Sequence, residues 1–438
     1  MLQIRPNGFE LWDSIMPEEL KKLPEELGKV DEILNDVSVM EPFLKRFNTT
    51  MGRPTVPVYT YLRMMYLKSR YKMGYETMEK EVNDSITWRR FCGIPYDKSA
   101  PEASTIIKLT HKYGEDILKK LHEIIIGQLV KKKVIRGRKI RFDTTVVASD
   151  THYPTDVGVM GDGLRRLRSI ILKIKNNGLR IGRTLKKVKG LNFAINQLLR
   201  QKTKKAKEKV KAINGTVIQI TLEVVKKVRK VMSRGKDRIK KGAERVADIV
   251  EKVAEQSAER LAGGKPEDRI VSIADPEARP IVKGKLDKPV EFGRTAELVQ
   301  DEKGYVTQYA VHNGNPNDAT LLPGIIAEHE KQFPEALREV AGDTGFASAE
   351  NFELLEKAGV KHIGIPARGH PTKEEQKKQD KNWYKELRRF RPGIEACIRF
   401  LDRKFGFKRS MYRGNTGTAI WVGWSVVAAN LYRYANTS

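Results

Sequence analysis

Lys139-Ile140-Arg141-Phe142-Asp143-Thr144-Thr145-Val146-Val147 alternates apolar and polar residues and is rich in β-branched side chains, the pattern of a strand with an acid in its middle. Strands disfavour aspartate, and a buried carboxylate is costly unless a cation or hydrogen-bond donors compensate it. Asp143 therefore calls for a partner, such as a metal ion. Two further acids lie in comparable settings downstream. Asp343 ends the strand-like run Leu337-Arg338-Glu339-Val340-Ala341-Gly342, and Glu395 follows Pro392 in a helical run.

Outward from this strand the chain changes character several times. Residues 1–135 read as helical, with an acidic helix start at Pro17-Glu18-Glu19-Leu20 and a helix from Tyr59 to Lys72 that Gly74 stops. Two short helices, Tyr75 to Val82 and Ile86 to Cys92, come next, and a third follows Ser104-Thr105. Helix, tight turn and helix of that size suits a helix-turn-helix DNA reader, and equally suits three-helix packing with no DNA role. Residues 136–160 hold the Asp143 strand and the loop His152-Tyr153-Pro154-Thr155-Asp156, and residues 161–265 form a helical insertion. Between Leu164 and Lys211 there are 17 Lys and Arg against the single acid Glu208, a net +16. Leu164, Leu167, Ile171, Ile174 and then Leu185, Val188, Leu191, Ile195, Leu198 keep helical spacing, so these are amphipathic helices with a basic outer face. Uncompensated charge of that size repels itself without an anion nearby, which favours nucleic-acid contact through residues such as Lys202, Lys204, Lys205 and Lys207. The Thr216 to Leu261 stretch is more evenly charged and reads as a solvated face.

Gly263-Gly264-Lys265-Pro266 marks a linker, and strand signals return in residues 266–438. Val290 to Val299 and Tyr305 to Val311 flank the turn Asp301-Glu302-Lys303-Gly304 and predict a β-hairpin. A helix from Asp318 to Lys331, the Asp343 strand, a helix from Ala347 to Ala358 and a short strand His362 to Ile365 follow. Lys373 to Lys381 is charged and poor in apolar residues, which predicts an exposed loop. Thr418 to Tyr434 is a strongly apolar helix in which Trp421 and Trp424 belong to the core.

The formal charge of +28 over 438 residues makes a polyanion the expected partner. Nucleic acid fits better than a membrane, because no stretch of about twenty apolar residues is present. The N-terminal residues lack the apolar core of a signal peptide, so a cytoplasmic location, at the nucleoid when bound to DNA, is expected. Cys92 and Cys397 are far apart and outside any His/Cys cluster, which indicates neither a disulfide nor a zinc site but two small core residues.

The sequence resembles the DDE transposases of bacterial insertion sequences. The resemblance rests on Asp143-Thr144-Thr145 with His152-Tyr153-Pro154-Thr155-Asp156, on Asp343-Thr344-Gly345-Phe346, and on Arg391-Pro392-Gly393-Ile394-Glu395. Gly52-Arg53-Pro54 and Arg90-Phe91-Cys92-Gly93 look like the helical N-terminal domain of the same transposases. It implies an α/β chain: a ribonuclease H-like catalytic domain with a long helical insertion after its first strand, behind an all-α N-terminal domain that binds DNA ends. It also implies that Asp143, Asp343 and Glu395 hold two Mg2+ or Mn2+ ions, that the element's ends are cleaved, and that the freed 3′ hydroxyl is joined to target DNA. A homodimer or higher oligomer on DNA is expected. A non-catalytic DNA-binding protein of this fold, or a metal-dependent nuclease that cuts without joining, are the alternatives.

Hard ions take oxygen ligands, so a few carboxylates suffice and open positions remain for water and phosphate. Glu395 stands beside Ile394 at the edge of the buried stripe Phe390, Ile394, Ile398, Leu401, Phe405. Glu386 lies before Pro392, and Asp402 about 10 Å farther along the helix than Glu395, so neither is expected to be the third acid. Related transposases often place a tyrosine and an arginine before the glutamate and a lysine two turns after it. Arg391 matches, whereas Arg388 and Asp402 occupy the other two positions, which leaves Arg399, Arg403 and Lys404 as candidate phosphate contacts. His152 is open to a role at the site or to a structural one.

Overall fold

The computed structural model describes residues 3–5, 17–44, 46, 54–174, 179–201, 203–232, 237–282, 290–370 and 372–437. Gly52, Arg53 and Lys202 lie outside these. Two compact units result, one made of residues 1–147 and 295–438 and the other of residues 148–294.

The first unit is built on a mixed sheet. Strand β1 (Lys139–Ser149) pairs in parallel with β5 (Glu339–Ala341), which pairs in parallel with β6 (His362–Gly364). Strands β3 (Val290–Asp301) and β4 (Val306–His312) form the expected antiparallel hairpin, and β3 neighbours β1, so the order runs β4, β3, β1, β5, β6. Strand β7 (Arg409–Ser410) pairs with β1, while β2 (Arg279–Val282), in the second unit, pairs antiparallel with Val290 to Gly293 of β3.

Alternation along β1 sends its side chains to two faces. Ile140 and Phe142 enter a core with Leu322, Ile325 and Ile326 of α10 (Asp318–Gln332) and Leu355 of α11 (Ala349–Lys357). Val147 belongs instead to a larger core. That core is supplied by α1 (Glu25–Leu34), α2 (Val58–Arg70), α3 (Tyr75–Asp84), α4 (Ile86–Cys92), α5 (Ala103–Lys131) and α15 (Gly414–Asn436). The helices that precede β1 thus share one interior with the C-terminal helix: Trp424 of α15 meets Tyr61 of α2 with ring centroids 6.0 Å apart. Cys92 and Cys397 are both buried and free.

The second unit is a bundle of α6 (Asp156–Ile171), α7 (Gly182–Arg200), α8 (Lys204–Met232) and α9 (Asp237–Leu261). Its core takes Leu164, Leu167, Ile171, Val188 and Ile195 from the predicted stripe. Gly163 allows α6 to approach α9, since a Cβ there would stand 2.5 Å from Val250. Buried Arg294 forks onto Asp275 at 2.7 and 2.8 Å and also donates to Ser149.

Within Lys373 to Lys381, whose composition predicts a loop, Lys373–Gln379 is instead helix α12, started by a capping box in which Thr372 and Glu375 satisfy each other's backbone amides. A short surface helix needs no apolar stripe when its first turn is capped. Helix α13 (Asn382–Phe390) follows it and α14 (Gly393–Phe405) continues from Pro392. Among the described residues no helix is long and apolar enough to cross a membrane.

Candidate active site

Sheet register brings the first two acids together. Arg141 on β1 is paired with Ala341 on β5, so Asp143 and Asp343, each two residues farther on, emerge side by side where the parallel strands end. Asp343 caps the 3-10 turn Thr344–Phe346 by accepting from the Gly345 amide at 2.8 Å. Glu395 comes from the first turn of α14, where the helix dipole favours a negative side chain. Arg141 fixes the joint before it: Nη1 donates to the Phe390 carbonyl at 2.8 Å and Nε to Gln300 at 2.7 Å. Gly393 is required beside this clamp, because a Cβ would collide with the Arg141 guanidinium.

Arg391 stands at the centre. Its Nη2 lies 3.1 Å from Asp143 Oδ2 and 3.5 Å from Asp343 Oδ2, and its Nη1 is bonded to Glu395 Oε1. The acids differ in exposure, 13% for Asp143 against 37% for Asp343 and 46% for Glu395. Burial accordingly pushes the Asp143 carboxyl up to about 6; Arg391 and the Thr144 amide pull it down, while Asp343 and Asp318 add to the rise. One guanidinium thus stands among three carboxylates. As the side chains stand, no three His, Cys, Asp or Glu among the described residues form a cluster that could hold a metal ion. The donor set is nevertheless all oxygen and in excess of its one cation, which fits a hard divalent ion.

Two residues of this region escaped the sequence reading. Asp318, the first residue of α10, accepts from Thr144 Oγ1 at 2.9 Å. Its Oδ2 faces Gly345, whose Cβ would stand 2.9 Å from it and 2.9 Å from Asp343 Oδ1. The Asn317-Asp318 pair carried a signal, but of a helix start only. Lys408 donates to Thr145 Oγ1 at 2.6 Å, and Thr145 shares the β1 face of Asp143. It arrives there because Gly406, at φ 68, ends α14 and turns the chain into β7, which pairs with β1. Asp402 fastens this turn by accepting from the Lys408 amide at 3.1 Å. No sequence pattern announces a two-residue strand.

The remaining expected contacts are less concentrated. Arg399 and Arg403 are exposed on α14; the Arg403 carbonyl takes the Lys72 ammonium at 3.0 Å, and Lys404 lies 6.0 Å from the Tyr432 ring centroid. Lys204, Lys205 and Lys207 are exposed at the start of α8 in the other unit. That helix has no acid in its first turn, where its dipole disfavours cations, so helix stability does not explain these lysines. His152 and Tyr153 are exposed. Their loop neighbours have structural partners: Thr155 caps α6, and Asp156 pairs with Arg260 and with Arg269 at 3.1 Å.

Comparison with known families gives two matches. Residues 16–112 match a transposase domain (DUF772), and residues 283–431 match a transposase DDE domain. The second span contains Asp318, Asp343, Arg391, Glu395 and Lys408; β1 with Asp143 and helices α6 to α9 lie between the two. No curated protein and no solved structure matches the chain significantly.

Proposed function

Because this chain belongs to the DDE transposases, we propose that Asp143, Asp343 and Glu395 are the catalytic carboxylates of a metal-dependent site that cleaves the ends of an insertion sequence and joins them to target DNA. The observation that carries this reading is the convergence of all three acids on one guanidinium, from two adjacent strand ends and one helix start. The order β4, β3, β1, β5, β6, with an antiparallel hairpin beside parallel strands, supports a ribonuclease H-like catalytic domain.

Two Mg2+ or Mn2+ ions held by these carboxylates would activate the attacking oxygen and offset charge growing on the phosphate and the leaving oxygen. The chain's own residues supply placement. Asp143 is held by the Thr144 amide and Asp343 by the Gly345 amide, so both carboxylates are oriented before any ligand arrives. Arg391, Lys408 and Arg399 offer cationic groups to the scissile and neighbouring phosphates, with Lys408 in the part expected of a lysine on α14. Arg403 and Lys404 extend this basic surface along α14, and Lys202, Lys204, Lys205 and Lys207 hold flanking DNA. Hydrolysis frees a 3′ hydroxyl, and that hydroxyl then attacks a target phosphodiester, so no covalent intermediate with the protein is required. Uniting two element ends calls for two copies of the site, hence a homodimer or larger assembly on DNA.

The test is to incubate the protein with its element's end DNA and Mg2+, with and without excess chelator, and to sequence the products. Nicked ends with 3′ hydroxyls and joined target products, both abolished by chelator, are expected. Cutting without joining would point to a nuclease, binding without cutting to a non-catalytic DNA-binding protein, and full cleavage in chelator would overturn the metal site.

A further inference from the structure

Arg391 does not behave as a surface arginine waiting for DNA. Its two terminal nitrogens face Asp143, Asp343 and Glu395, and its Nε is buried with no hydrogen-bond partner among the described residues. An arginine built in for stability alone would be expected to satisfy that donor. This one is committed to the three carboxylates and to little else. Asp143, Asp318, Asp343 and Glu395 bring four negative charges to the region, which one guanidinium leaves unbalanced and two divalent ions would balance.

We propose that Arg391 is the resident cation of the metal-free site: it holds the three carboxylates together until divalent ions displace it, and metal loading thereby releases its guanidinium to the DNA phosphate. This rests on the carboxylate reading given above. A guanidinium and a divalent ion compete for the same oxygens, because both draw on their lone pairs and the two cations repel each other. The way out is open. Asp343 and Glu395 are 37% and 46% exposed, so the guanidinium can turn toward solvent on their side while Asp143 stays buried beneath it. Lys408 is differently placed. Its ammonium donates to the Thr145 hydroxyl and adds positive charge nearby.

Competition of this kind has a signature that a purely phosphate-binding arginine lacks. Removing the guanidinium should strengthen metal binding even as it weakens catalysis. The experiment is calorimetric titration of Mn2+ into the full chain without DNA, for the wild type, Arg391→Gln, Arg391→Lys and Lys408→Gln, with thermal midpoints measured in chelator and in Mn2+. Arg391→Gln should bind Mn2+ about tenfold more tightly than the wild type, the order expected when one charge-assisted hydrogen bond no longer has to be broken. Arg391→Lys, which keeps the charge and loses the fork, should fall between them, and Lys408→Gln should change affinity less than Arg391→Gln. In chelator Arg391→Gln should melt below the wild type, and Mn2+ should raise its midpoint by more. Should Arg391→Gln fail to fold without metal, Arg391→Lys carries the comparison. Equal or weaker Mn2+ binding by the Arg391 variants would overturn the proposal and leave the carboxylate site standing. Failure of the wild type and all variants to bind millimolar Mn2+ would overturn the carboxylate site itself.

Discussion

Asp301 offers a stability test whose size can be worked out in advance. It ends β3 at the hairpin turn, is fully buried, and its Oδ2 has no hydrogen-bond partner among the described residues, while Oδ1 accepts from the Tyr305 amide at 2.7 Å. Burial raises its carboxyl from 3.8 to about 7; the amides of Tyr305, Gly304 and Lys303 oppose the rise and Glu302 adds to it. The folded protein therefore holds this proton over a range in which the unfolded chain has released it. The stability gained from the proton is fully present below about pH 4 and is lost as pH rises through about 7. The difference between 3.8 and about 7, at ~1.36 kcal/mol per pH unit, amounts to roughly 4 kcal/mol. Asp301→Asn keeps the Oδ1 acceptor and removes the ionisation. In urea unfolding followed at several pH values, its advantage over the wild type should grow from below about 1 kcal/mol near pH 4 to about 4 kcal/mol near pH 8. A difference between the two that does not vary with pH would refute the reasoning.

In the basic insertion, replacing Lys202, Lys204, Lys205 and Lys207 by Gln should weaken DNA binding across sequences and flatten the plot of log K against log salt by up to about 3.6, at ~0.9 per phosphate contact; an unchanged slope would mean a merely solvated face. Lys408→Gln should slow end cleavage by roughly 10- to 100-fold, the loss of one charge-assisted contact, and cleavage at the wild-type rate would remove it from the phosphate clamp. Asp318→Ala leaves the Thr144 hydroxyl without its acceptor and lowers the negative charge beside Asp343, so Mn2+ affinity measured by calorimetry should fall; undiminished affinity would make Asp318 only a helix-start residue.

Much of this arrangement was legible because it is local. The alternation of Lys139 to Val147 marked β1, the Asp301-Glu302-Lys303-Gly304 turn marked the hairpin, and helical spacing of Leu164, Leu167 and Ile171 marked the core of α6. Asp143 calls for a cation or hydrogen-bond donors, such as a metal ion would supply, and in the structure Arg391 and the Thr144 amide stand against it. What escaped depends on contacts distant in sequence. Lys408 reaches Thr145, 263 residues earlier, only because β7 pairs with β1 (Lys139–Ser149), and such a pairing leaves no periodic trace. Asp318 lies 174 residues from Thr144, and its position at a helix start concealed its reach into the sheet. Composition misled at Lys373–Gln379, where two capping residues outweigh the lack of an apolar face. The register that sets Asp143 beside Asp343 follows from Arg141 facing Ala341, a pairing that neither segment specifies alone.

Glu395 is proposed to complete a metal-dependent cleavage site with Asp143 and Asp343. Glu386 is exposed on α13 and Asp402 is occupied with the Lys408 amide, so these neighbours serve as controls in the same segment. The decisive measurement is Mg2+-dependent cleavage of end DNA by Glu395→Gln, Glu386→Gln and Asp402→Asn, alongside their DNA affinities and thermal midpoints. Glu395→Gln should abolish cleavage with binding and folding intact, while the other two keep substantial activity. An active Glu395→Gln beside an inactive Asp402→Asn would contradict the assignment.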